Sequence, residues 1–321
     1  MAHKIAVANQ KGGVGKTTTA VNLGAALALA DRRTLLVDLD PQAHATLGLG
    51  YDKKEIKLSV YDAMVTQAIG SEMLLPGRVA NLDLLPANIA LAGGEIEFAE
   101  LSDRSLRLRQ ALATIEDGYD YVLIDCPPSL AVLTLNGLAA ADAVLMPVQC
   151  EYYAIEGLSR LLDTINLVRQ TLNPSLEVEG VLLTMFSPRL NLAQQIVQEI
   201  RSYFGDKVFN TVIPRSVRLA EAPSFGKTIF QYDRNSSGAI AYEALCRELL
   251  AHEPAIAAKS QSPSSDDEPN PKPQIPMTNQ LGSSSRAVMA APKDNPEMEP
   301  PRTPSGIGGP NSEEGTASER Q

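Results

Sequence analysis

The sequence predicts an α/β fold, in which helices flank a mostly parallel, twisted β-sheet. Short apolar segments, several of them rich in β-branched residues, alternate with segments of helical length, and a glycine-rich turn follows the first apolar segment. Strands joined by helical crossovers run parallel and bind ligands at their carboxyl ends. The predicted strands are Ile5–Ala8, Thr34–Asp38, Leu82–Leu85, Tyr121–Asp125, Ala143–Pro147 and Val178–Thr184. The predicted helices include Thr17–Ala30, Ser105–Ile115, Gly157–Leu172 and Gly238–Leu250.

Composition divides the chain near Glu253. Residues 253–321 contain no Phe, Tyr or Trp and hold 12 of the chain's 22 prolines. Such a segment cannot bury enough apolar surface to offset the entropy lost on ordering. We therefore predict one α/β domain over residues 1–252 and a disordered tail over residues 253–321. The tail is either without a role, a tether or a segment that binds a partner.

The overall charge and the cysteines exclude several classes of function. The chain has 38 acidic and 28 basic residues, a net charge of -10, so binding to nucleic acid requires a local basic patch. Cys126, Cys150 and Cys246 lie too far apart for a disulfide framework or a C-x-x-C metal pair, and each is predicted to be a small buried hydrophobe. Neither a signal-peptide pattern nor a run of ~18 apolar residues is present, which predicts a cytoplasmic protein.

Residues 9–19, with the sequence NQKGGVGKTTT, form a glycine-rich turn between the first strand and the first helix. Glycines let backbone N–H groups turn inward around a phosphate, and the helix amino terminus adds a positive dipole end. Lys16 is expected to reach the β- and γ-phosphates, the Thr17 hydroxyl to ligate Mg²⁺, and Thr18 to contact the α-phosphate. The predicted nucleotide-binding residues are Lys11, Gly12, Gly13, Val14, Gly15, Lys16, Thr17 and Thr18. This arrangement predicts a single-domain P-loop NTPase fold.

The phosphate loop departs from the common G-x-x-x-x-G-K-[ST] pattern, because Gln10 replaces the first glycine and a second lysine, Lys11, precedes the glycine pair. The motif KGGVGKT at 11–17 resembles the deviant phosphate loop of the ParA/MinD group. DLDPQ at 38–42 and YVLIDCPPS at 121–129 resemble the second motif and the Walker B strand of that group. Segments 147–157 and 213–227 are similar to the small chromosomal ParA (Soj) proteins in particular, and the similarity covers residues 3–250.

The resemblance implies an ATPase that uses Mg²⁺ and hydrolyses ATP slowly to ADP and phosphate. Lys11 would cross a dimer interface to the phosphates bound by the partner, and Asp40 would orient or activate the attacking water. Lys11, Lys16 and Asp40 are therefore the predicted catalytic residues. Asp38 and Asp125, with Thr17, would hold the Mg²⁺ shell. The alternative for Asp38 is a buried structural aspartate.

The resemblance also implies ATP as the nucleotide, because Pro214 matches the segment that lines the adenine pocket and no Asn-Lys-x-Asp guanine motif is present. It further implies an ATP-dependent homodimer on the nucleoid that binds double-stranded DNA without sequence preference and is stimulated by a ParB-type partner. The predicted DNA-binding residues are Arg189, Arg215, Arg218, Lys227 and Arg247, with Arg234 as a further candidate. Each arginine has the alternative of a solvated or ion-paired surface side chain. Residues 186–190 read FSPRL where the family usually has an Asp-x-Arg turn, which alters how Arg189 is presented.

Other branches of the group fit less well. The chain lacks the Cys-Gly-Gly context of the nitrogenase-type reductases, and its acidic, polar end differs from the basic amphipathic helix of MinD-type proteins, so no membrane partner is predicted. The phosphate loop begins near residue 10, which leaves no amino-terminal helix-turn-helix domain. Two alternatives stay open: a ParA-like ATPase that positions a non-chromosomal cargo, and an ATP-dependent ligase of the dethiobiotin or cobyrinate synthetase type, which normally lacks Lys11.

Overall fold

A computed structural model describes residues 1–151 and 154–259 of the chain. The strands are β1 (His3–Val7), β2 (Thr34–Asp38), β3 (Leu75–Pro76), β4 (Leu82–Leu85), β5 (Tyr121–Asp125), β6 (Ala143–Gln149), β7 (Glu177–Phe186) and β8 (Val208–Pro214). The α-helices are α1 (Lys16–Leu29), α2 (His44–Gly48), α3 (Val60–Thr66), α4 (Ala90–Ala99), α5 (Arg107–Leu112), α6 (Val132–Ala140), α7 (Ala154–Thr171), α8 (Asn191–Phe204), α9 (Val217–Glu221), α10 (Ile229–Tyr232) and α11 (Ser237–Lys259). Short 3₁₀ helices occur at Ser71–Met73, Glu116–Gly118, Gly205–Lys207 and Ala222–Phe225.

The eight strands form one sheet in the order β3-β4-β2-β5-β1-β6-β7-β8. All neighbouring pairs are parallel except β3 with β4, which pair antiparallel at one edge. The chain therefore crosses over repeatedly by helices, and the predicted mostly parallel α/β fold is confirmed. In this arrangement β1 lies at the centre, between β5 and β6, so the turn that follows it opens in the middle of the carboxyl edge of the sheet.

Apolar side chains bury both faces of the sheet. Leu35 and Val37 of β2 face a layer formed by α3 to α8, whereas Leu36, between them, faces a second layer built on α1 and α11. Strands buried on both faces are continuously apolar rather than alternating, which is the pattern that β2 and β5 show. The α1 and α11 layer also contains a buried polar contact, since the hydroxyls of Thr19 and Tyr242 lie 3.2 Å apart.

The observed strand bounds agree closely with the predicted ones, whereas two helices differ from their predicted bounds at one or both ends. The strands β2, β4 and β5 have the predicted bounds, and β1, β6 and β7 differ by two residues or fewer at each end. The helix α5 is shorter than predicted, and α11 continues past Leu250 to Lys259, across the predicted domain boundary at residue 252. The predicted tail from residue 260 onward lies outside the described residues.

The three cysteines are buried and free of disulfides, as predicted. Within residues 1–151 and 154–259, no helix has the length and apolar character needed to cross a membrane.

Candidate nucleotide-binding site

The glycine-rich loop between β1 and α1 is held from two neighbouring strands. Asn9 donates through Nδ2 to the carbonyl of Pro147 in β6 at 2.8 Å, and its Oδ1 accepts the backbone N–H of Lys11 at 2.9 Å. From the next strand, β7, the hydroxyl of Thr184 donates to the carbonyl of Val14 at 2.8 Å. These contacts hold the backbone of the loop against β6 and β7.

Two glycines give the loop its direction. Gly13 and Gly15 have φ values of 75° and 91°, in the left-handed region that other residues adopt at a cost. Gly15 also caps α1, and no side chain from the described part of the chain caps that helix amino terminus. The N–H groups of the first turn are therefore available to an anion, as a phosphate site requires.

Lys16 begins α1 and is only 7% exposed. Its Nζ donates to the backbone carbonyl of Lys11 at 3.1 Å, so the side chain curls back over the loop. Burial lowers the pKa of Lys16, and the nearby carboxylates of Asp125 and Asp40 act against that shift. The position places a cation where the phosphates of a nucleotide in the loop would lie.

Asp38 ends β2 and is fully buried. Its Oδ2 accepts both the backbone N–H and the hydroxyl of Thr46, each at 2.7 Å, and its Oδ1 accepts the N–H of Asp40 at 3.2 Å. Burial nevertheless raises the pKa of Asp38 to about 6, because the desolvation of the carboxylate outweighs these hydrogen bonds. With both oxygens engaged by the protein, Asp38 has the environment of the structural alternative that the sequence left open.

Asp125 ends β5 directly beside Asp38 in the sheet register. Both of its oxygens are buried, and neither accepts a hydrogen bond of normal geometry from the residues that the structure describes. Burial and then the charge of Asp38 raise the pKa of Asp125 well above its usual range, while the Thr17 hydroxyl acts in the opposite direction. A buried carboxylate without a donor is stabilised either by a proton or by a cation, and oxygen ligands of this kind suit Mg²⁺. The residues present therefore fit a magnesium ion held on Asp125 and Thr17.

The loop opens into a cleft of about 620 Å³. Asp40 lines this cleft, and its Oδ1 accepts the N–H of Gln42 at 2.8 Å. The cleft is further lined by Gly12, Gly13, Gly15, Lys16, Thr17, Thr18, Asn22, His44, Met185, Ala222, Pro223, Ser224 and Lys227, among others. Its volume lies in the range of small-molecule sites and is sufficient for a nucleoside triphosphate.

Two further predicted site residues, Pro214 and Lys227, differ in their relation to the cleft. Pro214 ends β8 opposite Phe186 and is not among the residues that line the cleft. The segment that follows turns through α9, and its Pro223 lines the cleft. Lys227, predicted to bind DNA, is exposed but lines the same cleft.

The second lysine of the loop forms an ion pair outside the set of residues that line the cleft. Lys11 does not line it, and its Nζ lies 3.0 Å from Oε2 of Glu151, with both side chains partly exposed. Gln149 also donates to Glu151, through its Nε2 to Oε1. Sequence reasoning missed Glu151, although its position just after β6 at the carboxyl edge of a parallel sheet was an available signal.

The predicted DNA-binding arginines have different surroundings. Arg189 and Arg215 are both exposed, and they follow the neighbouring strands β7 and β8. The backbone N–H of Arg215 donates to the carbonyl of Phe186, at the end of β7, at 3.1 Å. Arg218 is engaged by acids, 3.2 Å from Glu221 and 3.6 Å from Asp233.

Two further cations lie towards the end of the described chain. Arg247 is exposed on α11, where its Nε lies 3.5 Å from the carbonyl of Glu243. Arg234 is exposed in the turn before that helix.

Comparison with known proteins agrees with this geometry. A family model described as an AAA domain matches residues 2–178. The chain is 54% identical to the sporulation initiation inhibitor protein Soj of Bacillus subtilis, over 77% of this chain and 98% of that protein. It is also 54% identical to the chromosome partitioning protein ParA of Myxococcus xanthus, over 77% of this chain and 87% of that protein.

A solved structure from Mycobacterium smegmatis has the same fold. It is described as cobyrinic acid a,c-diamide synthase with a bound ATP analogue and magnesium, is 39% identical to this chain and superposes with a TM-score of 0.70. The match covers 79% of this chain and 97% of that one. The predicted P-loop fold is thereby confirmed, and the ATP analogue and magnesium in that structure agree with the predicted cofactors, ATP and Mg²⁺. Because the similarity to the partitioning proteins spans nearly their whole length, this chain belongs to the ParA/Soj family of chromosome-partitioning ATPases.

Proposed function

We propose that this ATPase is a nucleotide-dependent switch: ATP assembles a homodimer that binds double-stranded DNA without sequence preference, and hydrolysis releases it. The observation that carries the proposal is the direction of Lys11. A lysine that belongs to a phosphate loop, yet points out of its own cleft and pairs with Glu151, is available to a nucleotide bound by a second subunit. Dimerisation would then depend on the phosphates and would require the Lys11–Glu151 ion pair to open.

The residues of the cleft have complementary roles in this proposal. The loop N–H groups and Lys16 bind the phosphates, and Thr18 contacts the α-phosphate. Thr17 and Asp125 hold Mg²⁺, and Asp38 supports that shell from its bonds to Thr46. When bound, Mg²⁺ neutralises negative charge on the phosphate oxygens. Asp40, at the wall of the cleft, orients the attacking water.

DNA binding follows from the same switch. Arg189 and Arg215 are the strongest candidates to contact phosphates, because they are exposed on neighbouring strand ends. Arg218 contributes if its contacts with acids open, and Arg247 adds a cation from α11. A dimer doubles the number of cations along one duplex, which links affinity for DNA to the ATP state of a chain that is acidic overall.

A ParB-type partner that accelerates hydrolysis completes the cycle, and repeated release and rebinding on the nucleoid would move or space the cargo. The relatives named for chromosome partitioning support a chromosomal cargo. A protein organelle or receptor cluster is the alternative cargo for the same cycle.

A second candidate function is that of an ATP-dependent synthase, favoured by the name of the Mycobacterium smegmatis chain. The identity to that chain is 39%, against 54% to the two partitioning relatives. A synthase has no need for Lys11 outside the cleft, and it would not gain affinity for DNA on binding ATP.

The test measures binding to a nonspecific DNA duplex over a series of salt concentrations. Wild type is measured with ADP and with ATP, and the Asp40→Ala variant is measured with ATP. We expect binding that requires ATP, falls steeply with salt and persists in Asp40→Ala, where hydrolysis is blocked. Lys11→Ala should lose dimerisation and DNA binding but keep the nucleotide affinity of the monomer. Lys54→Ala, which removes an exposed lysine elsewhere, is the matched control and should behave as wild type. A wild-type protein that dimerises with ATP but binds no duplex in any state would refute the DNA switch.

A further inference from the structure

The helix α4 is apolar on two sides, and only one of them is covered by the described fold. Leu91, Gly94 and Phe98 are buried against the body of the domain. The opposite side, called here the α4 outer face, consists of exposed Ile89, Ala92, Gly93, Ile96 and Ala99. Ile89 and Ile96 are 77% and 76% exposed, the highest values among large apolar side chains between residues 2 and 151. Two large apolar side chains this exposed on one face of a helix are unusual in a folded domain, so the outer face is a candidate contact surface.

The surroundings of this face are acidic. Between Arg78 and Arg104 the sequence has no Lys, Arg or His, and it carries five carboxylates, Asp83, Glu95, Glu97, Glu100 and Asp103. Three of them belong to α4 or end it, and Glu97 and Glu100 are exposed. The α4 outer face offers apolar contact, and the carboxylates beside it offer negative charge. A segment that is both amphipathic and positively charged complements these two properties.

We infer that the α4 outer face binds a basic, amphipathic helical segment of a partner protein. The inference rests on the proposed function to the extent that this partner is the one that stimulates hydrolysis. Charge disfavours two other occupants. Residues 260–321 of this chain contain five basic and nine acidic residues, and a second copy of α4 packed on the first would oppose carboxylates to carboxylates.

The position of α4 connects this face with the nucleotide site. The N–H of Ala87, just before the helix, donates to the Thr46 hydroxyl at 3.0 Å, and that hydroxyl donates to Asp38 at 2.7 Å. Asn88 then accepts the N–H of Ala90, at the start of α4, at 3.1 Å. A segment docked on α4 therefore acts on a helix whose leading residues are bonded, through one side chain, to an aspartate beside the proposed magnesium site.

The experiment uses the full chain, loaded with a non-hydrolysable ATP analogue, and a fluorescent synthetic peptide of about four helical turns with leucines on one face and lysines on the other. A scrambled peptide of identical composition keeps the charge and removes the amphipathic pattern. We expect the patterned peptide to bind about tenfold more tightly than the scrambled one. The double variant Ile89→Ser/Ile96→Ser should lose about tenfold in affinity, since two exposed isoleucines no longer contribute apolar area.

Glu100→Lys should weaken binding of the patterned peptide, to an extent that depends on the salt concentration. The matched controls lie on α11, where Ile240 is 57% exposed and Glu243 is also exposed. Ile240→Ser and Glu243→Lys should leave peptide affinity unchanged.

Equal binding of both peptides, or full peptide affinity in Ile89→Ser/Ile96→Ser, would overturn the inference. Loss of ATP-dependent dimerisation in that double variant would also overturn it, because a second copy would then be the occupant of the face. Failure of the peptide experiment can be distinguished from failure of the proposed DNA switch. A wild-type chain that never dimerises or binds DNA sinks the switch, whereas peptide binding that depends on Ile89 and Ile96 still establishes the surface.

Discussion

Two adjacent aspartates show how one sheet edge gives the same residue type different properties. Asp38 and Asp125 end neighbouring parallel strands and are both fully buried. Thr46 satisfies Asp38 with two short hydrogen bonds, whereas Asp125 has no donor of normal geometry among the described residues. Two like charges without full solvation destabilise the ligand-free fold, and such pairs are concentrated at functional sites. Binding of Mg²⁺ with a nucleotide would offset that destabilisation.

The stability of the metal-free protein should therefore fall as the pH rises. The pKa of Asp38 is raised from 3.8 to about 6 in the folded chain, so the folded state holds a proton that the unfolded state has lost. The associated stability is complete below about pH 4 and is lost as the pH rises through about 6, a difference of about 3 kcal/mol. Asp125 is shifted in the same direction. The measurement is urea unfolding in EDTA between about pH 4 and about pH 8, which covers the range between the two pKa values of Asp38.

Asp125→Asn tests the origin of that pH dependence. In EDTA at about pH 8 the variant should be more stable than wild type, because it removes the buried carboxyl group beside Asp38, yet it should lose Mg²⁺-dependent ATP hydrolysis. In wild type, Mg²⁺ with an ATP analogue should flatten the decline with pH. A variant no more stable than wild type at high pH would show that the buried carboxylate is not the destabilising group.

At the scale of elements, the packing of α4 depends on a glycine at its inner side. A Cβ at Gly94 would lie 2.6 Å from Cδ2 of Tyr61 and 3.2 Å from Cε2 of Phe98. The Tyr61 ring has little freedom to move, since it stacks on Phe98 with centroids 5.8 Å apart and its hydroxyl donates to Glu97 at 2.9 Å. The neighbouring Gly93 has no atom within 4 Å of the corresponding position.

Replacing these two glycines by alanine should have opposite effects. Gly94→Ala forces the aromatic pair apart and should lower the free energy of unfolding by about 1–3 kcal/mol. Gly93→Ala meets open space in a helix and should raise it by about 0.5–1 kcal/mol, because alanine loses less backbone entropy on folding. Denaturant unfolding of the two variants, which carry the same added methyl group one residue apart, provides the comparison. Equal effects of the two substitutions would contradict this account of how α4 packs.

The elements that the sequence predicts well are those whose environment is uniform. The strands β2 and β5 are buried on both faces, so their sequence is continuously apolar and their bounds are readable. The edge strand β8 carries Asn210 and Thr211 near its centre and gives no comparable pattern. The helix α4 is equally hard to recognise, because apolar residues on both sides remove the periodicity that marks a helix.

In the candidate site, some residue positions follow from the local sequence and others depend on tertiary contacts. The residues of the phosphate loop are contiguous, so their placement follows from one motif. Pro223 lines the cleft because the chain reverses through α9 and a 3₁₀ helix, a path that no local pattern specifies. The pairing of Lys11 with Glu151 joins residues 140 positions apart and depends on β6 lying next to β1.

At the scale of the whole molecule, the helix α11 determines where the folded domain ends. Its buried residues Tyr242, Leu245 and Leu249 cover one face of the sheet together with α1. Among the side chains of this helix whose exposure is described, none beyond Leu249 is buried. The composition of the sequence changes at about the same place, but the helix itself continues to Lys259. We therefore propose that residues 1–259 contain everything that the fold and the nucleotide site require.

A chain that ends at residue 259 should keep its melting temperature to within about 2 °C, because it retains every core residue that the structure describes. It should also keep the ATP hydrolysis rate of the full chain. A chain that ends at residue 236 is the contrasting variant: it lacks α11, exposes the apolar face that Leu245 and Leu249 cover, and should not fold. Thermal unfolding and ATP turnover of the three chains, measured with and without Mg²⁺, make the comparison. If the chain ending at residue 259 melted more than about 5 °C below the full chain, residues 260–321 would contribute to the stability of the domain, and the boundary proposed here would be wrong.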